Sequence, residues 1–339
     1  MKNETRVVFN AYAAAIAQLN GVPDATEKFV VAPSVAQTLL DRVQENADFL
    51  REINNPMVPE QSAEILGLGT NSPAAGRTDT TAADRQPRSI TNLDGRTYAC
   101  VQTNYDTYVT YKQLDMWAKF PDFQQRMRNH VTLQVARDRL MVGFNGTSIA
   151  ANTDIAVNPL LQDVNKGWLQ KIREHAAGAR VLSNIKVGAE AGADYRNVDA
   201  LFYDVLNELI DPWYRNDTAI VAITGDQLVT DKYLAILNSA SVDAPTEKAA
   251  MQTLISNRTI GSRPSKQVPF FPSKKMLVTK ASNLSLYTQD GTVRRQVQDQ
   301  PQRDRVVDFL SMNEDYVIED MGACALVDSI LTWNGSAWA

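Results

Sequence analysis

Residues 57–112 limit the possible folds of this chain more than any other segment does. The part from 57 to 97 is rich in Ala, Thr, Ser, Gly and Asp, and its large apolar residues are concentrated at Ile65 and Leu66. A segment of this composition cannot bury enough apolar surface to form a core of its own. Its order therefore has to come from contact with something else.

The part from 98 to 112 alternates between two faces, as a β-strand does. One predicted face carries Val101, Thr103, Tyr105, Thr107, Val109 and Tyr111, and the other carries Gln102, Asn104, Asp106, Tyr108, Thr110 and Lys112. Such a strand would be about 50 Å long at ~3.3 Å per residue, whereas ordinary strands have about 5–6 residues. Residues 62–66 alternate loosely and could form the second strand of a ribbon.

A two-stranded ribbon is marginally stable alone in water. We therefore expect the ribbon 57–112 to be supported by a neighbouring copy of the chain. The expected intersubunit contacts are Ile65, Leu66, Arg85, Arg88 and Tyr105. The alternative is a long polar surface loop within a monomer.

Three helices are predicted in the first half of the chain. The first spans 3–19 and ends at Gly21, and the second runs from Ser34 to about Ile53. The third begins near Pro121, ends at about residue 142, and would be roughly 30 Å long at ~1.5 Å per residue. Its polar surface is basic and could face the inside of an assembly and contact nucleic acid, although a solvated face or contact with acidic patches on sister subunits is the favoured explanation. The basic residues are Arg126, Arg128, Arg137 and Arg139.

Residues 199–310 have a different pattern, in which helices and strands alternate, so they are predicted to form a second domain. Helices are expected at 201–210, 226–237 and 246–255, and strands at 219–224, 268–270, 276–279 and 284–287. Gln289–Thr292 is predicted to be a hairpin turn, because it contains Asp-Gly. The strand-rich tail 315–333 is expected to return to the first domain.

Composition excludes several classes of protein. The chain has 339 residues, of which 44% are hydrophobic and 22% charged, and a net charge of −5. This is typical of a globular protein, and the charge argues against a protein that mainly grips phosphate backbones. The sequence lacks the run of roughly 20 apolar residues that spans a membrane, and its N-terminus lacks a secretion signal.

The sequence contains few residues that could perform catalysis or bind a metal. Cys100 and Cys324 are expected to be free thiols, and with His130 and His175 as the only histidines a zinc site is not expected. No phosphate-binding Walker loop or serine nucleophile motif occurs. The paired carboxylates Glu314-Asp315 and Glu319-Asp320 are interpreted as exposed strand or turn charges. We therefore expect no enzyme activity, no cofactor and no metal.

Several short segments, taken in order, resemble one known family over nearly the whole chain. They are NETR (3–6), FNAY (9–12), PSVAQTL (33–39), YKQLDMWA (111–118), GFNG (143–146), NPLLQDVNKGWLQKIR (158–173), PWY (212–214), DKY (231–233) and SMNEDYVIED (311–320). Their order and spacing resemble the P-two-like major capsid proteins of contractile-tailed bacteriophages.

The resemblance implies an α+β fold of the tailed-phage (Hong Kong ninety-seven) type. The segments implied are an N-terminal helix or propeptide at 1–29, an N-terminal arm and helix at 30–56, an extended β-hairpin loop at 57–112, a peripheral domain formed by 113–198 with 311–339 and containing a spine helix at 121–142, and an axial domain at 199–310.

The resemblance also implies a structural function. Such a protein self-assembles into the hexamers and pentamers of an icosahedral procapsid in the host bacterial cytoplasm and encloses double-stranded DNA in the virion. Its implied partners are further copies of itself, an internal scaffold with a maturation protease, a portal at one vertex, and DNA contacted without sequence specificity. The protease would cut near Phe29 and Val30.

Two other functions remain open from the sequence. The first is another phage structural protein, although a scaffold should be helix-dominated and highly charged and a tail-tube subunit should consist mostly of strands. The second is an enzyme with an α/β catalytic domain at 199–310, which would need a polar cleft containing ionisable groups with perturbed pKa values.

Overall fold

A computed structural model provides the structure of the chain. The residues it describes are 1–45, 47–65, 75–82, 84–87, 95–117, 120, 123–225, 228, 259–261, 263–333 and 335–338. The helices in this part of the chain are α1 (Asn3–Asn20), α2 (Pro33–Glu45), α3 (Asp48–Glu52), α4 (Tyr111–Trp117), α5 (Phe123–Asn145), α6 (Trp168–Glu174) and α7 (Val198–Glu208).

The strands among the described residues form two large sheets and two small ones. They are β1 (Phe29–Val30), β2 (Met57–Val58), β3 (Ser62–Glu64), β4 (Thr97–Ala99), β5 (Val101–Asn104), β6 (Thr107–Thr110), β7 (Val181–Leu182), β8 (Ile185–Val187), β9 (Ile220–Thr224), β10 (Thr259–Ile260), β11 (Arg263–Gln267), β12 (Met276–Lys280), β13 (Leu284–Gln289), β14 (Arg294–Gln300), β15 (Arg305–Ile318), β16 (Cys324–Val327) and β17 (Ile330–Thr332).

Helix α1 confirms the first predicted helix. Its apolar residues Phe9, Tyr12 and Ile16 are buried on the face that contacts the core. The helix ends at Gly21, whose φ of +64° is a left-handed conformation that glycine adopts without a steric penalty.

The second predicted helix is wrong as a single element, because the structure divides it into α2 and α3. Ala47 lies between them in an extended conformation, with φ −140° and ψ 113°. This break lets α3 turn Phe49 and Leu50 into the core, where the centroids of the Phe49 and Phe144 rings are 5.6 Å apart.

Helix α5 confirms the long third helix but continues past its predicted end, to Asn145. Gly143 allows close packing there and does not end the helix. A Cβ atom at this position would lie 2.3 Å from a ring carbon of Trp168, so any larger residue would push the Trp168 ring away. The predicted start at residue 121 lies outside the described residues.

Within the described residues, β15 is the central strand of a sheet of seven strands, which also contains β1, β2, β5, β6, β13 and β14. Strands β13 and β14 pair with one edge of β15. Strands β5 and β6 pair with the other edge in one register, from Val101 opposite Glu314 to Thr110 opposite Arg305. The fourteen residues of β15 are therefore paired on both edges along most of their length.

The predicted strand at 98–112 is right in its alternation and wrong in its partner and its end. Thr103, Tyr105 and Val109 are buried, and their neighbours on the opposite face are more exposed. Residues 101–110 pair with β15 of the same chain, whereas Thr97–Ala99 pairs with Ser62–Glu64. Tyr111 already begins α4. Support from a neighbouring copy is therefore not needed for this half of the ribbon.

The turn predicted at Gln289–Thr292 is not a hairpin. Strands β13 and β14 do not pair with each other, since both lie along the same edge of β15. Strands β13 and β14 follow one another as antiparallel partners of β15, and the turn, in which Gly291 has φ +69°, separates them. The hairpin closes instead between β14 and β15, where Asp304 has φ +48°.

The second large sheet has the order β10-β11-β9-β12-β16-β7. Its strand β9 confirms the predicted buried strand, and Val221 and Ile223 face the core of the first sheet while Ile220 and Ala222 face α7. The strand predicted at 268–270 is wrong, because β11 comes earlier, at Arg263–Gln267.

Two other sequence predictions concern residues 226–311. The helices expected at 226–237 and 246–255 lie outside the described residues, apart from Leu228. The boundary suggested between residues 310 and 311 falls inside β15, so residues 284–310 share the first sheet with residues 101–110. In the described ranges, no helix is long and apolar enough to cross a membrane.

Candidate assembly interface

A buried ion pair fastens the long helix α5 to the central strand β15. Arg139 of α5 and Glu314 of β15 are each 1% exposed and form a salt bridge. The hydroxyl of Tyr105 donates a hydrogen bond of 2.5 Å to the other oxygen of Glu314. Burial and the nearby Glu314 carboxylate hold the pKa of Tyr105 well above its usual value, so the hydroxyl remains a donor.

The adjacent carboxylate, Asp315, ties α6 to the base of the segment between residues 65 and 96, which we call the long loop. Its side chain accepts a hydrogen bond of 2.6 Å from Lys171 of α6 and one of 3.0 Å from the backbone N–H of Ala99. Glu314 and Asp315 are both buried. Their interpretation as exposed strand charges is therefore wrong, and the signal that sequence reasoning missed is their position in the middle of a strand covered on both faces.

The two ends of the long loop are held together beside the end of β15. The backbone N–H of Ile65 donates to the carbonyl of Arg96 at 2.8 Å. The Arg96 guanidinium donates to the carbonyls of Ile318 and Glu319, at 2.5 and 2.8 Å. Residues 65 and 96, which bound the long loop, therefore lie side by side on the body of the subunit.

A small apolar cluster fills this loop base. Ile65 packs there with Tyr98, Cys100 and Val317. The Tyr98 ring meets the Tyr287 ring edge to face, with centroids 5.0 Å apart. The loop base is therefore anchored by the chain's own core before any neighbour is present.

The residues expected to contact a neighbour are distributed unevenly. Ile65 and Tyr105 are buried within their own chain, so their side chains have almost no surface left for a second copy. Arg85 is exposed, and Leu66 and Arg88 lie outside the described residues. Glu319, interpreted from the sequence as an exposed charge, accepts hydrogen bonds from Ser285 and Tyr287 of its own chain.

The basic side chains of α5 do not form one face. Arg126 and Arg137 are exposed and Arg128 is half-buried, whereas Arg139 is buried in the ion pair described above. The Arg126 guanidinium lies 4.6 Å from the centre of the Phe120 ring. Arg139 therefore has to be removed from the basic surface predicted from the sequence.

The N-terminal segment is integrated into the folded subunit. The Tyr12 hydroxyl of α1 accepts a hydrogen bond of 3.0 Å from Arg295, which forms a 2.5 Å salt bridge with Asp308. Phe29 and Val30, the expected cleavage junction, form β1 and pair with Arg295 and Arg294 of β14. Phe29 is buried and Val30 is exposed, so this bond lies in a strand at the edge of the sheet.

The two histidines and two cysteines, all of which the structure describes, lie apart from one another. His130 is exposed, with its ring 6.2 Å from that of Trp117, and His175 follows the end of α6. Cys100 and Cys324 are free and buried, and burial raises the pKa of each thiol to about 12. Within the described ranges, no three His, Cys, Asp or Glu side chains are placed to hold a metal ion.

The comparisons with known proteins agree with this architecture. The family model described as phage major capsid protein, P2 family, matches residues 8–330. The capsid protein of Escherichia phage P2 is 44% identical over 97% of this chain and 95% of its own length. The major capsid protein of Serratia phage KSP20 is 38% identical over 97% of both chains.

A solved structure carries the same fold. A chain of the satellite phage P4 procapsid, determined with its size determination protein, superposes with a TM-score of 0.81 at 42% identity, over 99% of this chain and all of its own length. The fold is of the Hong Kong ninety-seven type, as the resemblance implied. From the matched family model and these near full-length relatives, it follows that the chain belongs to the P2 family of phage major capsid proteins and is a component of the virion.

Proposed function

We propose that this capsid protein builds the closed icosahedral head of a tailed phage from hexamers and pentamers of itself and encloses double-stranded DNA. The observation that carries the proposal is the match of nearly the whole chain to a procapsid subunit, with a TM-score of 0.81. A closed shell uses the same surfaces of each copy repeatedly, so the function resides in contacts between copies and not in a catalytic centre.

The long loop is the first of these contacts. Ile65 and Arg96 hold its two ends together, and Arg85 within it is exposed. A polar excursion of this length from a rigid base cannot form its own core, and lying over a neighbouring copy would give it one. Leu66 and Arg88 are further proposed contacts in the same excursion.

The other proposed partners follow from the resemblance. Residues 1–29 are a propeptide that a maturation protease, linked to an internal scaffold, cuts near Phe29 and Val30. Assembly takes place in the host cytoplasm around a portal at one vertex. The exposed Arg126 and Arg137 contact packaged DNA without sequence specificity, which predicts a contact weakened by salt.

The division of the subunit is proposed in the same way. Residues 30–56 form the arm and 113–198 with 311–339 the peripheral domain. Of the segment 199–310, residues 199–283 form the axial domain nearest the symmetry axes, whereas 284–310 belong with the sheet of β15. The protein has no enzymatic role in this proposal.

Electron microscopy of the purified protein, with and without scaffold, tests the proposal. We expect closed shells from the wild-type chain, and from a variant lacking residues 70–95 a folded subunit that forms no closed shells. Circular dichroism and urea unfolding provide the control that the deletion leaves the body intact, because the anchored loop base around Arg96 remains. Normal shells from the deletion variant, or a wild-type chain that remains monomeric with scaffold present, would contradict the proposal.

A further inference from the structure

The segment between α5 and α6 exposes an unusual amount of apolar surface. We call residues 147–162 the apolar tip. Ile155 and Val157 are 71% and 74% exposed, and Ile149 and Leu160 are 48% and 38% exposed. Single exposed apolar residues are ordinary, but a group of them on one short loop marks an interaction site.

The apolar tip is held in a fixed shape by hydrogen bonds at its base. The backbone N–H groups of Thr147 and Ser148 donate to the carbonyl of Gln162, at 2.8 and 3.1 Å. The buried carboxylate of Asp163 accepts a hydrogen bond of 2.8 Å from the backbone N–H of Asp154. A loop that is ordered before it binds loses little conformational entropy on binding.

The same base contains a strained residue. Leu161 has φ +58°, a left-handed conformation that a leucine rarely adopts because its Cβ crowds the backbone there. Its backbone N–H donates to the carbonyl of Asn158 at 3.0 Å, which closes the turn. The fold therefore maintains the exposed shape of the tip at some cost in stability.

The charge of the apolar tip indicates what it can contact. Asp154 is the only ionisable residue between 147 and 162, although 22% of the chain is charged. One of the Asp154 carboxylate oxygens accepts a hydrogen bond of 2.9 Å from the backbone N–H of Ala156. Interface centres are depleted of charge, and a nearly uncharged patch can meet an identical patch with little like-charge repulsion.

We propose that the apolar tip is a contact between identical tips, at which neighbouring copies of this chain meet around a rotation axis of the assembled shell. The inference rests on the proposed function, because a closed symmetric shell brings the same surface of several copies together at its axes. Burial of the exposed Ile155 and Val157 against their counterparts then contributes to holding neighbouring capsomers together.

Disulfide trapping tests this contact directly. The variant Val157→Cys introduces a thiol on the tip, and Cys100 and Cys324 do not interfere because both are buried. In assembled shells under mild oxidation, we expect covalent dimers joined through the introduced thiols and protection of these thiols from maleimide. The same variant kept dilute and unassembled is the control, and it should remain monomeric and react fully.

The outcomes separate this inference from the proposed function. If the wild-type chain forms no shells, the proposed function fails. If shells form but the introduced thiol reacts freely with maleimide, the tip faces solvent and the inference is overturned. If the thiol is protected but forms no dimer, the tip contacts a different surface and the pairing of identical tips is overturned.

A second variant removes the apolar contact without touching the core. Ile155→Ser with Val157→Ser should leave the urea midpoint unchanged, because both side chains are exposed. It should raise the subunit concentration needed for shells about tenfold or more. Val7→Ser, also at an exposed valine, is the matched control and should assemble normally. Unchanged assembly of the double variant would contradict the proposal.

Discussion

Glu314 shows how one residue can decide the behaviour of its neighbourhood. It receives Arg139 from helix α5 and Tyr105 from the link between β5 and β6, and all three side chains are buried. Neither periodicity nor composition could place Arg139 there, because the other arginines of α5 follow the same helical pattern and remain at least partly exposed. Which arginine meets a buried carboxylate is set by a strand far along the sequence.

Removing one partner of this ion pair should be strongly destabilising. Arg139→Met leaves Glu314 buried without a countercharge, which costs about 3–5 kcal/mol of unfolding free energy. Arg137→Met, two positions away on the exposed side of the same helix, should change it by about 0.5 kcal/mol or less. Urea unfolding of the two variants measures the difference, and equal midpoints would contradict the burial described for Arg139.

The replacement of both partners provides a further control. Arg139→Met combined with Glu314→Leu leaves no unpaired charge, so this variant should be more stable than Arg139→Met alone. A double variant as unstable as the single one would show that the loss comes from packing and not from the uncompensated charge.

The acid sensitivity of the fold should depend partly on Asp328. Burial raises the pKa of its carboxyl, but hydrogen bonds and charge from Arg173 and Lys275 outweigh this and hold it below the ordinary 3.8. The ion pairs with Arg173 and Lys275 both measure 2.5 Å. Because the folded pKa is lowered, the stabilisation is present above pH 3.8 and is lost as the pH falls through the folded pKa.

Asp328→Asn should therefore be less stable than wild type at neutral pH, by about 1.5–3 kcal/mol. The difference should narrow as the pH is lowered below 3.8. Urea unfolding over a pH series measures it, with Asp48→Asn at a fully exposed carboxylate as the control. A difference that is constant at all pH values would mean that the charge of Asp328 is not what stabilises the fold.

At the scale of elements, periodicity in the sequence predicts individual helices and strands but not which strands pair. Helix α1, most of α5, the buried strand β9 and the alternation of residues 101–110 all follow from periodicity. The pairing of residues 101–110 with β15 could not be predicted, because register depends on a partner far along the chain. The Asp-Gly turn at 290–291 does not form the predicted hairpin for the same reason, since a turn sequence does not specify which strands pair.

Helix α1 should act as a structural part of the unassembled subunit. Phe9 is buried against the core, whereas Val7, two residues earlier on the same helix, is exposed. Phe9→Ala should lower the unfolding free energy by about 3–5 kcal/mol, and Val7→Ala by about 0.5 kcal/mol or less. Denaturant unfolding before assembly is the measurement, and equal effects would mean that α1 is not docked as described.

At the scale of the whole molecule, the order of short motifs indicated the family and hence the fold, and the family assignment is confirmed by near full-length relatives. The contact residues were harder to predict, because exposure is a property of the packed chain. Ile65 and Tyr105 are apolar or aromatic and lie in the ribbon, yet the subunit buries both itself. The apolar tip was not found from the sequence, since a few aliphatic residues in a loop resemble core residues until their exposure is known.

The paired edges of β15 have a mechanical consequence for a container wall. A force that pulls along this strand loads the hydrogen bonds of both edges at the same time, in shear, so that many must break together before the strand slides. A force that peels the sheet at a border breaks them one after another, beginning with a two-residue strand, β1 or β2. This sheet thus resists a pull along β15 better than a pull across it. The direction in which β15 runs in the capsid wall therefore determines how much outward pressure the sheet can resist.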